Sequence, residues 1–158
     1  LGLSVLALFL WIGAATGQDY LLHPLAALSH TAVSPDTTKP ANVIFETVSQ
    51  PQALQALLDQ AKQNKQTVVI DVSADWCAAC QVMERSTFRD SRVIEAFSKY
   101  KRIRFDMSES SQVQKEWLQA MHLYGPPALI FIDNNGNELK SLRVQGEIEA
   151  DKLIAHLK

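Results

Sequence analysis

A chain of 158 residues has room for one ordinary domain plus extra material. Its formal charge of -2, with 20% charged residues, argues against a nucleic-acid binder. Two cysteines cannot build a multi-bridge secreted scaffold, and their number alone leaves the compartment open.

Leu1 to Thr16 carries no charge. As a helix it would span roughly 24 Å, short of the ~30 Å hydrocarbon core. A signal peptide competes for this stretch, since Gly13-Ala14-Ala15-Thr16-Gly17 is a small-residue run. The lack of an initiator Met and of a basic flank favours the end of a transmembrane helix over residues 1–17. The first Lys or Arg after it is Lys39, whereas cytoplasmic flanks are rich in both. The downstream side is therefore expected to be the periplasm of a bacterium, where thiol exchange operates. Residues 18–41, with Pro24, Pro35 and Pro40, read as a linker.

Regular patterning starts at Asn42 and defines an expected domain over 42–158. Val43 to Glu46 reads as an edge strand. Ser49 and Pro51 open a helix with Leu54, Leu57, Leu58 and Ala61 on one stripe. Thr67 to Val72 is a continuous apolar run interrupted only by Asp71, as expected of a strand covered on both faces. A helix is predicted from about Cys77 to Arg85, and another near Asp90 with Val93, Ile94 and Phe97 inward. Ile103, Phe105 and Met107 alternate with Arg102, Arg104 and Asp106, so Lys99 to Arg104 reads as the solvated side of a strand. Val113, Trp117, Leu118 and Met121 share a helical face that ends at Gly125 and two prolines. Ala128 to Ile132 is a buried strand, and Asn134-Asn135-Gly136-Asn137 turns the chain into a strand over 138–144. Ala150, Leu153, Ile154 and Leu157 stripe the last helix. Strands alternating with helices predict an α/β domain with a mostly parallel, mixed sheet.

Chemistry concentrates at Cys77-Ala78-Ala79-Cys80, the chain's only cysteines. Two thiols so spaced can close into a disulfide and reopen by thiolate exchange. A cysteine at a helix N-terminus meets free N–H groups and the positive end of the dipole, which favour thiolate, so Cys77 is the expected nucleophile. Cys80, one turn later and expected to be more buried, would resolve the mixed disulfide. Asp71 lies in an apolar strand, where a carboxylate is costly. It can take the proton that Cys80 must lose, or it is merely satisfied by local hydrogen bonds. Glu84 falls one turn beyond Cys80, although a helical Glu is often only a solvated face. Asp75 precedes Trp76, which is either a recognition surface or packing. These carboxylates oppose thiolate formation, and the pair therefore reads as a reductant rather than a strong oxidant. Half a zinc site is the competing reading, but a closed site wants four ligands and His122 and His156 are isolated.

The string Asp71-x-x-Ala74-Asp75-Trp76-Cys77-x-x-Cys80, with Gly125-Pro126-Pro127-Ala128 downstream, resembles the thioredoxin fold: a central mixed sheet flanked by helices. With Glu84 and the upstream apolar segment, it is similar to the C-terminal domain of the DsbD family of transmembrane thiol:disulfide interchange proteins. The resemblance implies a protein-disulfide reductase needing no cofactor beyond a redox-active Cys77–Cys80 disulfide. Cys77 would attack, Cys80 would resolve, and Asp71 and Glu84 would set the thiol pKa values. Trp76, Asp75, Pro126 and a cis Pro127 would contact partners. It further implies a bacterial inner-membrane protein whose membrane domain supplies electrons and whose N-terminal periplasmic domain receives them. From there they would pass to disulfide isomerases and cytochrome c maturation proteins. A singly anchored reductase for cytochrome c maturation and a metal-binding module remain the alternatives. The chain departs from the family at Ser73, Gln81, Ala128 and Pro126.

Overall fold

The computed structural model describes residues 41–158; the apolar segment and most of the linker expected from the sequence lie outside the described residues. In chain order the elements are β1 (Glu46–Val48), α1 (Pro51–Gln63), β2 (Val68–Ser73), α2 (Ala78–Arg85), a 3-10 turn (Thr87–Arg89), α3 (Ser91–Ser98), β3 (Lys101–Asp106), α4 (Gln112–Ala120), β4 (Ala128–Ile132), a second 3-10 turn (Lys140–Leu142), β5 (Val144–Gln145) and α5 (Ala150–His156). The sheet order is β1-β3-β2-β4-β5. The first three strands run parallel, and β4 is antiparallel to both β2 and β5.

The unbroken apolar runs of β2 and β4 follow from this arrangement. Alternate residues of a strand point to opposite faces, and both faces here are covered. Val68, Ile70 and Val72 join Ala128, Ile130 and Ile132 in one core beneath α1 and α4. Val69, Leu129 and Phe131 join Met83, Phe88, Val93, Phe97 and Leu153 in the other. The second core is rich in edge-on aromatic pairs, with Phe45 5.2 Å from Phe88 and Phe97 6.1 Å from Phe131.

Three sequence expectations shift. The first strand forms at Glu46–Val48, because Val43 is instead buried in the second core and Phe45 packs against it. The Asp133–Asn137 turn forms, with the Asp133 carboxylate accepting from the N–H groups of Asn135 and Asn137. The strand expected after it does not. Beyond one bridge at Glu138 the chain makes a 3-10 turn, and only Val144–Gln145 pairs with β4. Across that detour Arg143 donates two bonds to the Glu138 carboxylate and one to the Met121 carbonyl, which replaces ladder bonds with a charged fork.

The third shift is on α4, where Val113 is 43% exposed and its neighbour Gln114 is fully buried. Gln114 completes a capping box with Ser111, and its amide donates to the carbonyls of Ser49 and Asp106. Gln114→Ala strands these groups and opens a void, so a loss of about 2–4 kcal/mol is expected, read as a lower urea midpoint at unchanged slope.

Candidate active site

β2 ends at Ser73, and Cys77 caps α2 four residues later. The backbone turns sharply between them, with the Cys77 N–H donating to the Ala74 carbonyl at 3.1 Å. The two sulfurs are bonded as a disulfide, with the Cα atoms 5.3 Å apart. Cys77 Sγ also accepts from the Cys80 N–H at 3.1 Å, so the cap of α2 is itself a redox sulfur. Burial does not separate the pair. Cys77 is 6% exposed and Cys80 7%, against the expectation that Cys80 would be the deeper, because a disulfide this short folds both sulfurs onto one turn.

A cleft of about 410 Å³ opens beside the disulfide, and its wall includes Cys80, Glu84, Arg104, Asp75 and Asp106. β2 and β3 pair in a register that sets Asp71 opposite Arg104. The Arg104 guanidinium spans two carboxylates: Nε donates to Asp71 Oδ2 at 2.7 Å, and a terminal nitrogen donates to Glu84 Oε2 at 2.7 Å. Asp71 and Glu84 are therefore joined through a cation. Arg104 lies on the strand face that the sequence reading assigned to solvent. A carboxylate buried in β2 needed a partner, and an arginine in the alternation of β3 was the available signal.

Asp71 is 2% exposed. Burial pushes its pKa up to about 6 from 3.8, while Arg104 pulls it down and Glu84 adds a smaller upward push. Burial works against the Arg104 charge too, but Asp71 and Glu84 outweigh it and hold the guanidinium above its ordinary value. The result is a proton-binding group tuned near neutrality in the second core, next to the helix that carries both sulfurs.

The remaining expected residues fall around the same end of the sheet. Trp76 is 59% exposed. The Asp75 N–H donates to Ser108 Oγ, and the Asp75 carbonyl accepts from the Gln81 amide. The Pro126–Pro127 bond is cis. Val72 pairs with Ala128, which places Pro127 at the strand end where the Ser73–Cys77 turn begins. The Pro127 carbonyl is held by the Gly146 N–H at 2.9 Å. Among the described residues, no group of three or more His, Cys, Asp or Glu side chains could hold a metal ion.

Comparison with known proteins agrees with this geometry. A family profile described as a thioredoxin-like domain matches residues 54–158. The thiol:disulfide interchange protein DsbD of Pseudomonas sp. (strain JR1 / K1) is 37% identical over 154 residues, which is 94% of this chain and 27% of that protein. DsbD 1 of Pseudomonas aeruginosa is 36% identical over the whole chain, again across 27% of its own length. The chain thus spans about a quarter of the curated relatives it matches. The C-terminal domain of Neisseria meningitidis DsbD in its oxidised form superposes with a TM-score of 0.60 at 25% identity, covering 70% of this chain and 95% of that one. With an exchangeable disulfide capping the helix after its central strand and a profile match over most of its length, the chain belongs to the thioredoxin-like domain family.

Proposed function

We propose that the chain is the C-terminal, electron-transferring domain of a larger transmembrane thiol:disulfide interchange protein. The observation that carries this reading is the Cys77–Cys80 disulfide on the N-terminus of α2, backed by the Asp71–Arg104–Glu84 chain that runs from a buried carboxylate to a partly exposed one. In the reduced domain, the Cys77 thiolate attacks a partner disulfide and forms a mixed disulfide, and one partner sulfur leaves and takes a proton. Asp71 accepts the Cys80 proton. The Cys80 thiolate then attacks Cys77 Sγ, closes the internal disulfide and expels the second partner sulfur, which takes a proton as Asp71 gives its own up, so the partner leaves as a dithiol. Two electrons and two protons move per cycle. A dithiol on the membrane domain restores the pair by the same exchange in reverse.

The similarity to DsbD supports the membrane domain as electron source and the N-terminal periplasmic domain of the same protein as acceptor. It also supports an inner-membrane location with this domain in the periplasm. Residues 1–17 would then be the end of the preceding transmembrane helix, 18–41 the tether and 42–158 the folded unit. Asp75, Trp76, Pro126 and Pro127 form the contact rim for partners. Among the described residues no helix is long and apolar enough to cross a membrane.

The test is the equilibrium of the full chain against glutathione buffers, followed by mass after thiol trapping. A potential nearer the ~-270 mV of thioredoxin than the ~-120 mV of a strong oxidant is expected. A value at the oxidising end would overturn the reductase reading.

A further inference from the structure

The Asp71–Arg104–Glu84 chain does not end at Glu84. Asn42, the second described residue, donates from its side-chain amide to Glu84 Oε1 at 2.8 Å, on the carboxylate whose other oxygen binds Arg104. Three residues on, the Phe45 ring lies under the Arg104 guanidinium, 4.6 Å from its central carbon to the ring centroid. Both contacts come from the short segment that leads into β1. One fixes the far carboxylate, and the other covers the flat face of the cation between the two carboxylates. Neither residue was singled out in the sequence.

We propose that Asn42 and Phe45 are positioning residues for the proton acceptor of the dithiol, holding Glu84 and Arg104 in the geometry that sets how tightly Asp71 keeps its proton. A guanidinium forks well only when its plane is fixed, and an aromatic face favours a desolvated cation without competing for its N–H donors. With the plane fixed, Nε stays on Asp71 at 2.7 Å. Released from the ring and from a tethered Glu84, the half-buried side chain gains rotamers that turn it toward solvent. Its charge then screens the Asp71 carboxylate less. A loosened Glu84 also relieves its own upward push, but that is the weakest of the four influences on Asp71, so the net effect of loosening is upward.

The groups facing Asp71 are few. β3 supplies Arg104, α2 supplies Glu84, and β4 sets the apolar Leu129 opposite it. Asp75 and Asp106 lie on the rim of the same cleft as Arg104. In the oxidised protein the cysteines do not titrate, so they add no charge near Asp71 in that state. Because the segment that carries Asn42 and Phe45 is also the one by which the chain enters the domain, the position of that lead-in is coupled to the proton affinity behind the disulfide.

The inference rests on the reading of Asp71 as proton acceptor, and the experiment separates the two. The carboxyl carbon of Asp71 is followed by NMR against pH in the oxidised full chain. Asn42→Ala and Phe45→Leu are each expected to raise the midpoint, and together to raise it by about half a pH unit, the size of a modest cation–π contact. Phe45→Tyr, which keeps the ring, is expected to restore the wild-type value. Ile44→Ser, between the two and 69% exposed, is expected to leave it unmoved. Arg104→Gln is expected to raise it further than either. If Arg104→Gln moves the midpoint while Asn42→Ala and Phe45→Leu do not, the lead-in only packs and the inference is overturned. If Asp71 itself does not titrate near neutrality and ignores Arg104→Gln, the acceptor reading fails and the inference falls with it.

Discussion

Cys77→Ser is expected to reduce exchange with protein disulfides to background, whereas Cys80→Ser is expected to retain the first attack and accumulate a stable mixed disulfide. The asymmetry follows from position along α2. Cys77 is the cap, where unpaired N–H groups and the helix dipole stabilise a thiolate, and it follows an exposed Trp76. Cys80 lies within the first turn and receives no such help, so it attacks only once a base has taken its proton. Burial gives no guidance, since the two are equally covered in the disulfide form. Non-reducing electrophoresis and intact mass, with the reduced full chain presented to a disulfide-bonded protein, distinguish the outcomes. A mixed disulfide accumulating in Cys77→Ser rather than in Cys80→Ser would reverse the assignment.

Asp71→Asn is expected to stabilise the oxidised protein by about 2 kcal/mol at pH 7 and to have no effect near pH 3. The folded carboxyl holds its proton to about pH 6, whereas the unfolded one releases it near 3.8. The folded state therefore binds more protons between these values, and stability falls as pH rises through that window. Above it, the buried charge costs up to about 3 kcal/mol. Some of this returns in the variant as Arg104 loses a partner, though the cation keeps Glu84 and is partly solvated. Urea titrations at the two pH values measure the difference. A variant less stable than the wild type at pH 7 would mean that the Arg104–Asp71 pair outweighs the burial cost. On the proposed role of Asp71 as proton acceptor, slower resolution of the mixed disulfide should accompany the gain in stability.

What the sequence disclosed was local, and what it concealed depended on distant pairing. The Cys77–Cys80 spacing, the continuous runs of β2 and β4 and the stripe of Val93, Ile94 and Phe97 on α3 each lie within one element and were legible there. Arg104 was misread as solvated because within β3 it alternates just as Arg102 and Asp106 do. Its role exists only once β2 aligns beside it and brings Asp71, 33 residues away in sequence. Gln114 was passed over in favour of Val113 because a buried amide is tolerable only when acceptors arrive. One of them, the carbonyl of Ser49, lies 65 residues away. The strand expected after the Asp133–Asn137 turn failed for a related reason, since Arg143 found Glu138 and Met121 instead of a ladder.

The outer strands of the sheet, β1 and β5, are three and two residues long. A sheet edge is a template on which a foreign extended segment can add itself, and here only a few backbone groups on either side are free to serve. A client lying against this domain could gain no more than a handful of ladder bonds, each worth about 1 kcal/mol net. Ladder pairing then adds little to the attachment, and the mixed disulfide is cut when Cys80 closes on Cys77. A long open edge would go on holding the client after the chemistry had finished; these short ones let it leave.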